Sequence, residues 1–339
     1  MNEQFNDDYL VRSPFYRNTM NNTVLPWLKE KECVSEIRGY DGRSLYCVSY
    51  HADEPVGTVL IVHGFTENAY KYAELIWSLL HLHFSVIAYD QRGHGRSWRD
   101  EDVADPSITH VDHFTEYVYD LKMISDTFRP VSSLPFFVFA HSMGGAVVSL
   151  FLEQYRDVFS AAVLSSPMIA PHTGGVPAPV VSAVCIIAKI LGKRKKNPFF
   201  MKTYSGPENF DTSCATDPER FAWYDELKAS VTAFQNSVPS YQWSYEALHV
   251  TEKILAPNAP EKIACPVLLF SAETDSSVLP IPQKNFIDRV KDGKRIMVKG
   301  SRHEIYRSAD NVLFPWWQQV ISFYRANIPA YSCKGGCQE

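Results

Sequence analysis

The sequence predicts an α/β protein whose central sheet is mostly parallel and flanked by helices. Three observations carry that expectation. Three apolar runs rich in β-branched and aromatic residues, 58–62, 84–89 and 135–140, are too short for helices and lack strict alternation, as strands covered on both faces do. Between them lie stretches of helical period, with Tyr72, Leu75, Ile76, Leu79 and Leu80 on one stripe and Tyr117, Leu121 and Ile124 on another. Strand and helix therefore alternate, which calls for a parallel sheet with right-handed crossovers.

The elements continue in order. An Ala/Val-rich helix is expected over 146–155, a strand over 160–164, a strand over 267–270, a helix over 283–290, a strand over 295–298 and a final helix over 312–326. The alternation breaks from 168 to 264. Pro171, Pro177, Pro179 and the Gly174-Gly175 pair open this stretch, an apolar run over 180–191 follows, and helical segments with Phe221, Trp223, Tyr224, Tyr241, Trp243 and Tyr245 close it. It reads as an inserted helical cap. The apolar run of a dozen residues is shorter than the roughly 20 needed to span a bilayer. The expected organisation is an N-terminal segment 1–30, a core made of 31–167 and 265–328, the cap 168–264, and a C-terminal tail 329–339.

Composition sets the outer bounds. With 339 residues, 45% hydrophobic and 21% charged, the chain can bury a sizeable core and is not disordered. Its 16 Gly and 21 Pro, and the lack of any period of 20 to 50 residues, exclude collagen-like and repeat architectures. The 33 basic and 38 acidic residues give a net charge of -5, which argues against a nucleic-acid-binding surface over the molecule. No basic start followed by an apolar run marks a secretory signal, and the seven cysteines are odd in number and mostly scattered. A cytoplasmic location is the expectation. Cys333 and Cys337 share the Gly-rich tail, where they could pair with each other or bind a metal, although no second Cys or His pair stands nearby to complete a metal site.

Chemistry enters after the third strand, where Ala140, His141, Ser142, Met143, Gly144 and Gly145 lead into a helix. A serine on so tight a strand-to-helix turn has its hydroxyl lifted clear of the sheet, and small neighbours let strand and helix approach. Ala140 stands where such elbows usually carry glycine, a departure of one methyl. Serine needs a base, and the base needs an orienting acid. The strand ending at Phe270 runs into Glu273 and Asp275, and the last strand runs into His303. Ser142, Asp275 and His303 then follow in the required chain order, with Asp275 preferred over Glu273 because it lies in the loop beyond the strand. Two backbone donors must meet the oxyanion. Met143, at the start of the helix, is one; Phe65, in the His63-Gly64-Phe65 loop after the first strand, is the other.

These segments, together with Asp90-Gln91-Arg92-Gly93-His94-Gly95-Arg96-Ser97 and His303-Glu304, resemble the α/β-hydrolase superfamily. The stretches 158–168 and 243–255 make the chain similar to its bacterial lysophospholipase and monoacylglycerol lipase branch, over residues 30 to 328. The resemblance implies a serine esterase that cleaves single-chain lipids, lysophospholipids first, through an acyl-enzyme. The alternatives are a monoacylglycerol lipase or a general carboxylesterase. A proline iminopeptidase-like enzyme would need an acidic cluster for the substrate amine, and a non-catalytic scaffold would not need an intact Ser, Asp and His. No metal or cofactor is called for. Arg92 and His94 are expected to brace the active-site side. Lys193, Arg194, Lys195 and Lys196, directly after the apolar run, are either a solvated helix end or a basic rim that meets anionic headgroups and holds the protein peripherally on the inner face of a membrane.

Overall fold

The computed structural model describes residues 3–129 and 134–329, so Cys333 and Cys337 lie outside the described residues. Eight strands form one sheet in the order β1-β2-β4-β3-β6-β7-β9-β10. They are β1 (Cys33–Arg38), β2 (Ser44–Tyr50), β3 (Gly57–Val62), β4 (Phe84–Tyr89), β6 (Phe136–His141), β7 (Ala161–Ser165), β9 (Val267–Ala272) and β10 (Gly293–Val298). β2 runs antiparallel to both β1 and β4, and every other adjacent pair in the sheet is parallel. Two-residue strands β5 (Ile108–Thr109) and β8 (Val238–Pro239) pair separately.

Strand side chains alternate between two cores. Val59, Ile61, Phe137 and Phe139 face one, beneath α3 (Ala73–His81) and α10 (Asp310–Ala326). Leu60, Val62, Val138 and Ala140 face the other, beneath α4 (Thr115–Phe128), α5 (Met143–Gln154) and α9 (Pro280–Ile287). Both faces are dry, so both sets must be apolar, and the sequence shows continuous runs where a half-exposed strand would alternate.

The N-terminal segment is part of the first core. Tyr16 on α1 (Tyr16–Thr19), Met20 and Val24 in the helical turn that follows it, and Leu28 on α2 (Leu25–Lys31) are buried in the same core as α3. Between β7 and β9 the chain inserts α6 (Ala178–Ile190), α7 (Pro218–Ser230) and α8 (Tyr241–Ile254). The sequence reading places α8 in the cap, whereas its Val250 and Ile254 are buried in the second core with residues of α5. The parallel β7–β9 pair needs a crossover helix over the sheet, and α8 supplies it. No helix among the described residues is long and apolar enough to cross a membrane.

Candidate active site

Ser142 sits at the junction of β6 and α5 with φ +50° and ψ -116°, a backbone conformation that costs energy outside glycine. Its neighbours hold it there. Its N–H donates to the Ser165 carbonyl at 3.1 Å, and its carbonyl accepts the Met168 N–H at 2.8 Å. The helix can start this close to the sheet only because Gly144 lacks a Cβ, which would stand 2.2 Å from the Val62 carbonyl oxygen. Gly145 is bound by the same logic to Pro167, which an added Cβ would meet at 2.5 Å. Ala140 faces the second core, where its methyl is accommodated.

The Ser142 hydroxyl lies 2.8 Å from His303 Nε2, and His303 Nδ1 lies 2.8 Å from Asp275 Oδ2. The other oxygen, Asp275 Oδ1, accepts the N–H groups of Ser277 at 2.9 Å and Val278 at 3.0 Å. Burial pushes the Asp275 carboxyl up, but His303 and these two N–H groups more than offset it, so Asp275 stays below the usual carboxylate range and ionised. Glu273, the other acid considered, accepts the Gly300 N–H at 2.8 Å and ties down the loop after β10.

The loop after β3 reaches the serine. A Cβ on Gly64 would come within 3.1 Å of Ser142 Cβ. Among the described residues neither the Phe65 N–H nor the Met143 N–H has an acceptor in the protein, which leaves both open to a ligand. The Phe65 ring packs on Trp243 of α8 with centroids 4.2 Å apart, and edge-on against His94 at 6.0 Å. His63 Nε2 accepts the Gln91 N–H at 2.9 Å, so its proton is on Nδ1 and donates to the Gly64 carbonyl at 2.7 Å. Burial lowers the basicity of His63 and His94, keeping both rings neutral. Arg92 forks onto Asp120 at 2.6 and 2.8 Å and also reaches Glu116 and Asp41, tying the loop after β4 to α4 and to the turn between β1 and β2.

One residue that sequence reasoning missed lies at the centre of these loops. Thr66, at φ +62°, turns the chain so that Glu67 points back beneath the elbow. The fully buried Glu67 carboxylate accepts from the Gly64 N–H (2.6 Å), Tyr72 hydroxyl (2.6 Å), Tyr306 hydroxyl (2.5 Å) and Lys71 Nζ (3.0 Å), and lies 3.3 Å from His141 Nδ1. Lys71 in turn reaches Glu304 at 2.6 Å, and Glu304 reaches Arg307 at 2.6 Å. The Glu67/Lys71 spacing of four residues was the one local signal available.

Residues 53–310 match the family described as serine aminopeptidase, S33. The chain belongs to that family. It is 28% identical to lysophospholipase L2 of Escherichia coli, over 97% of this chain and 98% of that one. It is also 28% identical to a monoacylglycerol lipase of Mycolicibacterium smegmatis, over 80% of this chain and 89% of that one. Among solved structures, a soluble variant of the Saccharomyces cerevisiae monoglyceride lipase superposes with a TM-score of 0.68 at 18% identity, covering 87% of this chain and 96% of that chain. The fold is the α/β-hydrolase fold, and this family member is a serine hydrolase.

Proposed function

We propose that this serine hydrolase releases the fatty acid from a single-chain glycerolipid, a lysophospholipid in the first place, with Ser142 as nucleophile. The observation that carries the reading is the continuous relay of 2.8 Å contacts from the Ser142 hydroxyl through His303 to Asp275, on a strained elbow beside two open N–H groups. Ser142 Oγ attacks the ester carbonyl carbon while His303 Nε2 takes its proton, and Asp275 stabilises the imidazolium that forms. The carbonyl oxygen becomes an oxyanion held by the Phe65 and Met143 N–H groups. His303 then protonates the departing alcohol, and the same base activates water to split the acyl-enzyme.

The near full-length similarity to lysophospholipase L2 supports the choice of lipid, and the similarity to a monoacylglycerol lipase supports that substrate as the second reading. An aminopeptidase reading is less well supported, because Glu67 and Glu304, the buried carboxylates beneath the elbow, already hold Lys71 and Arg307.

We assign residues 168–264 as the cap, with α8 serving both cap and core, and its outer helix α6 as the part that touches a lipid surface. Ile190 is 79% exposed and Phe199 85%, with Ile187, Leu191 and Phe200 exposed beside them. The four-residue basic rim expected from sequence contributes less than its charge suggests. Arg194 pairs with Asp112 at 2.9 Å, and Lys195 with Asp100 and Asp102 at 2.8 and 2.7 Å. Lys193 and Lys196 remain exposed.

Purified protein assayed on lysophosphatidylcholine, monoacylglycerol, short p-nitrophenyl esters and aminoacyl arylamides tests the reading. The lysophospholipid is expected to give the highest kcat/KM and the arylamides none. Preferred cleavage of arylamides would overturn the esterase reading, and a monoacylglycerol optimum would select the second one.

A further inference from the structure

His141, the residue before the nucleophile, faces acceptors at both ring nitrogens. Nδ1 lies 3.3 Å from Glu67 Oε2, and Nε2 lies 3.2 Å from the His303 carbonyl oxygen. A neutral imidazole carries one N–H and one lone pair, so it would turn that lone pair toward either a buried carboxylate or a buried carbonyl. An unmade hydrogen bond at such a site costs about 1–3 kcal/mol. Only the imidazolium donates to both. We propose that His141 is a doubly protonated positioning residue, clamping the backbone of His303 to Glu67, the same carboxylate that fixes the Gly64 N–H of the loop carrying Phe65. One buried proton thus registers the base against the oxyanion loop. The proposal rests on the Ser142–His303 reading above and adds how its parts are held in register.

The groups packed around the ring come from three elements. Glu67, Lys71 and Tyr72 stand on the segment after β3; His303, Glu304 and Tyr306 stand on the loop after β10, with the His303 ring at 4.9 Å and the Tyr306 ring at 5.1 Å; Ser142 adjoins on β6's own end. Burial and Lys71 oppose the charge on His141, while the Glu67 carboxylate, its hydrogen bond and Glu304 favour it, and the balance lies toward the charged ring. The sign follows directly. A histidine raised on folding keeps its second proton at low and neutral pH and loses it as pH climbs through the raised value, releasing one arm of the clamp.

The test is nitrogen-15 NMR of the imidazole groups in the wild-type enzyme, with the His141 signal assigned by through-bond correlation to its own backbone, independently of any variant. Two protonated nitrogens at neutral pH and above the ordinary histidine range are expected. A single protonated nitrogen throughout would overturn the proposal, whether or not the variant folds. Kinetics sharpen it. His141→Gln and Glu67→Gln should each lower kcat by about 10–100-fold, the size of effect that misplacing a catalytic group produces. KM should change little; wild-type kcat should fall at alkaline pH as His141 loses its second proton, and that fall should be absent in His141→Gln. An unchanged alkaline limb in that variant would also count against the clamp. Failure of the Ser142 assignment itself would show separately, as unimpaired fluorophosphonate labelling of Ser142→Ala.

Discussion

Two helices of the same insertion meet the rest of the molecule in opposite ways. On α7, Arg220 is fully buried and forks onto Glu74 of α3 with two 3.0 Å bonds, while also reaching Asp310 of α10 at 2.8 Å and the Val11 carbonyl at 2.5 Å. Trp223 donates to Asn21 at 2.9 Å, and Tyr224 accepts from Asn68 at 2.8 Å. On α6, only Cys185 and Ala188 are buried, and they pack on Tyr241 of α8 in a small satellite cluster. Burying an Ile or Leu side chain contributes about 1.5–3 kcal/mol, and α6 leaves Ile187, Ile190 and Leu191 outside. The difference is one of anchoring: α7 fixes the insertion over the sheet, whereas α6 leaves an apolar surface exposed.

That division predicts a descending series of effects on stability. Arg220→Ala leaves Glu74 buried without its cation, so unfolding in urea should occur earlier by about 3–5 kcal/mol. A loss below 1 kcal/mol would mean that α7 is not the anchor. Arg194→Ala and Lys195→Ala break partly exposed pairs and should cost about 0.2–1 kcal/mol each. Ile187→Glu with Ile190→Glu should stay within about 0.5 kcal/mol of wild type, as exposed sites do. In vesicle co-sedimentation the order reverses. The double Glu variant should lose most of its binding, whereas Lys193→Gln with Lys196→Gln should show a smaller loss that fades as salt rises. Equal sedimentation of the double Glu variant and wild type would remove α6 from the lipid contact.

Legibility in the sequence tracked the same physical divide. Strands buried on both faces announce themselves as apolar runs, and β4 was located to the residue, with β3, β6 and β7 within one residue at either end. β1 and β2 were not visible: the edge strand β1 with Ser35, Glu36 and Arg38 carries neither an apolar run nor a clean alternation, and β2, though largely buried, breaks its apolar residues with Ser44, Ser49 and two tyrosines. Ser142, Asp275 and His303 stood out because each follows a strand in the chain order that the fold requires. Glu67 and His141 did not. His141 takes its meaning from the His303 carbonyl and the Glu67 carboxylate, and Glu67 from the Gly64 N–H and the distant Tyr306 hydroxyl; backbone partners and distant side chains leave no mark in a local reading of the sequence. The double role of α8 was hidden for a related reason, since aromatic residues such as Tyr241 and Trp243 suit cap and core equally.

The acid of the relay can be separated from its neighbour by paired variants. Asp275→Asn should lower kcat by about 10⁴-fold, as loss of the orienting carboxylate does, while Glu273→Gln should retain most activity because it only alters a loop contact. The reverse pattern would move the acid to Glu273.

The most direct measurement is covalent labelling of wild type and Ser142→Ala with a fluorophosphonate, read by intact mass and followed by peptide mapping. One adduct per chain on Ser142 in the wild type, none in the variant, and a fall in ester turnover of several orders of magnitude are expected. Full labelling of the variant, or an adduct mapping to another serine, would contradict the assignment of Ser142 as the nucleophile.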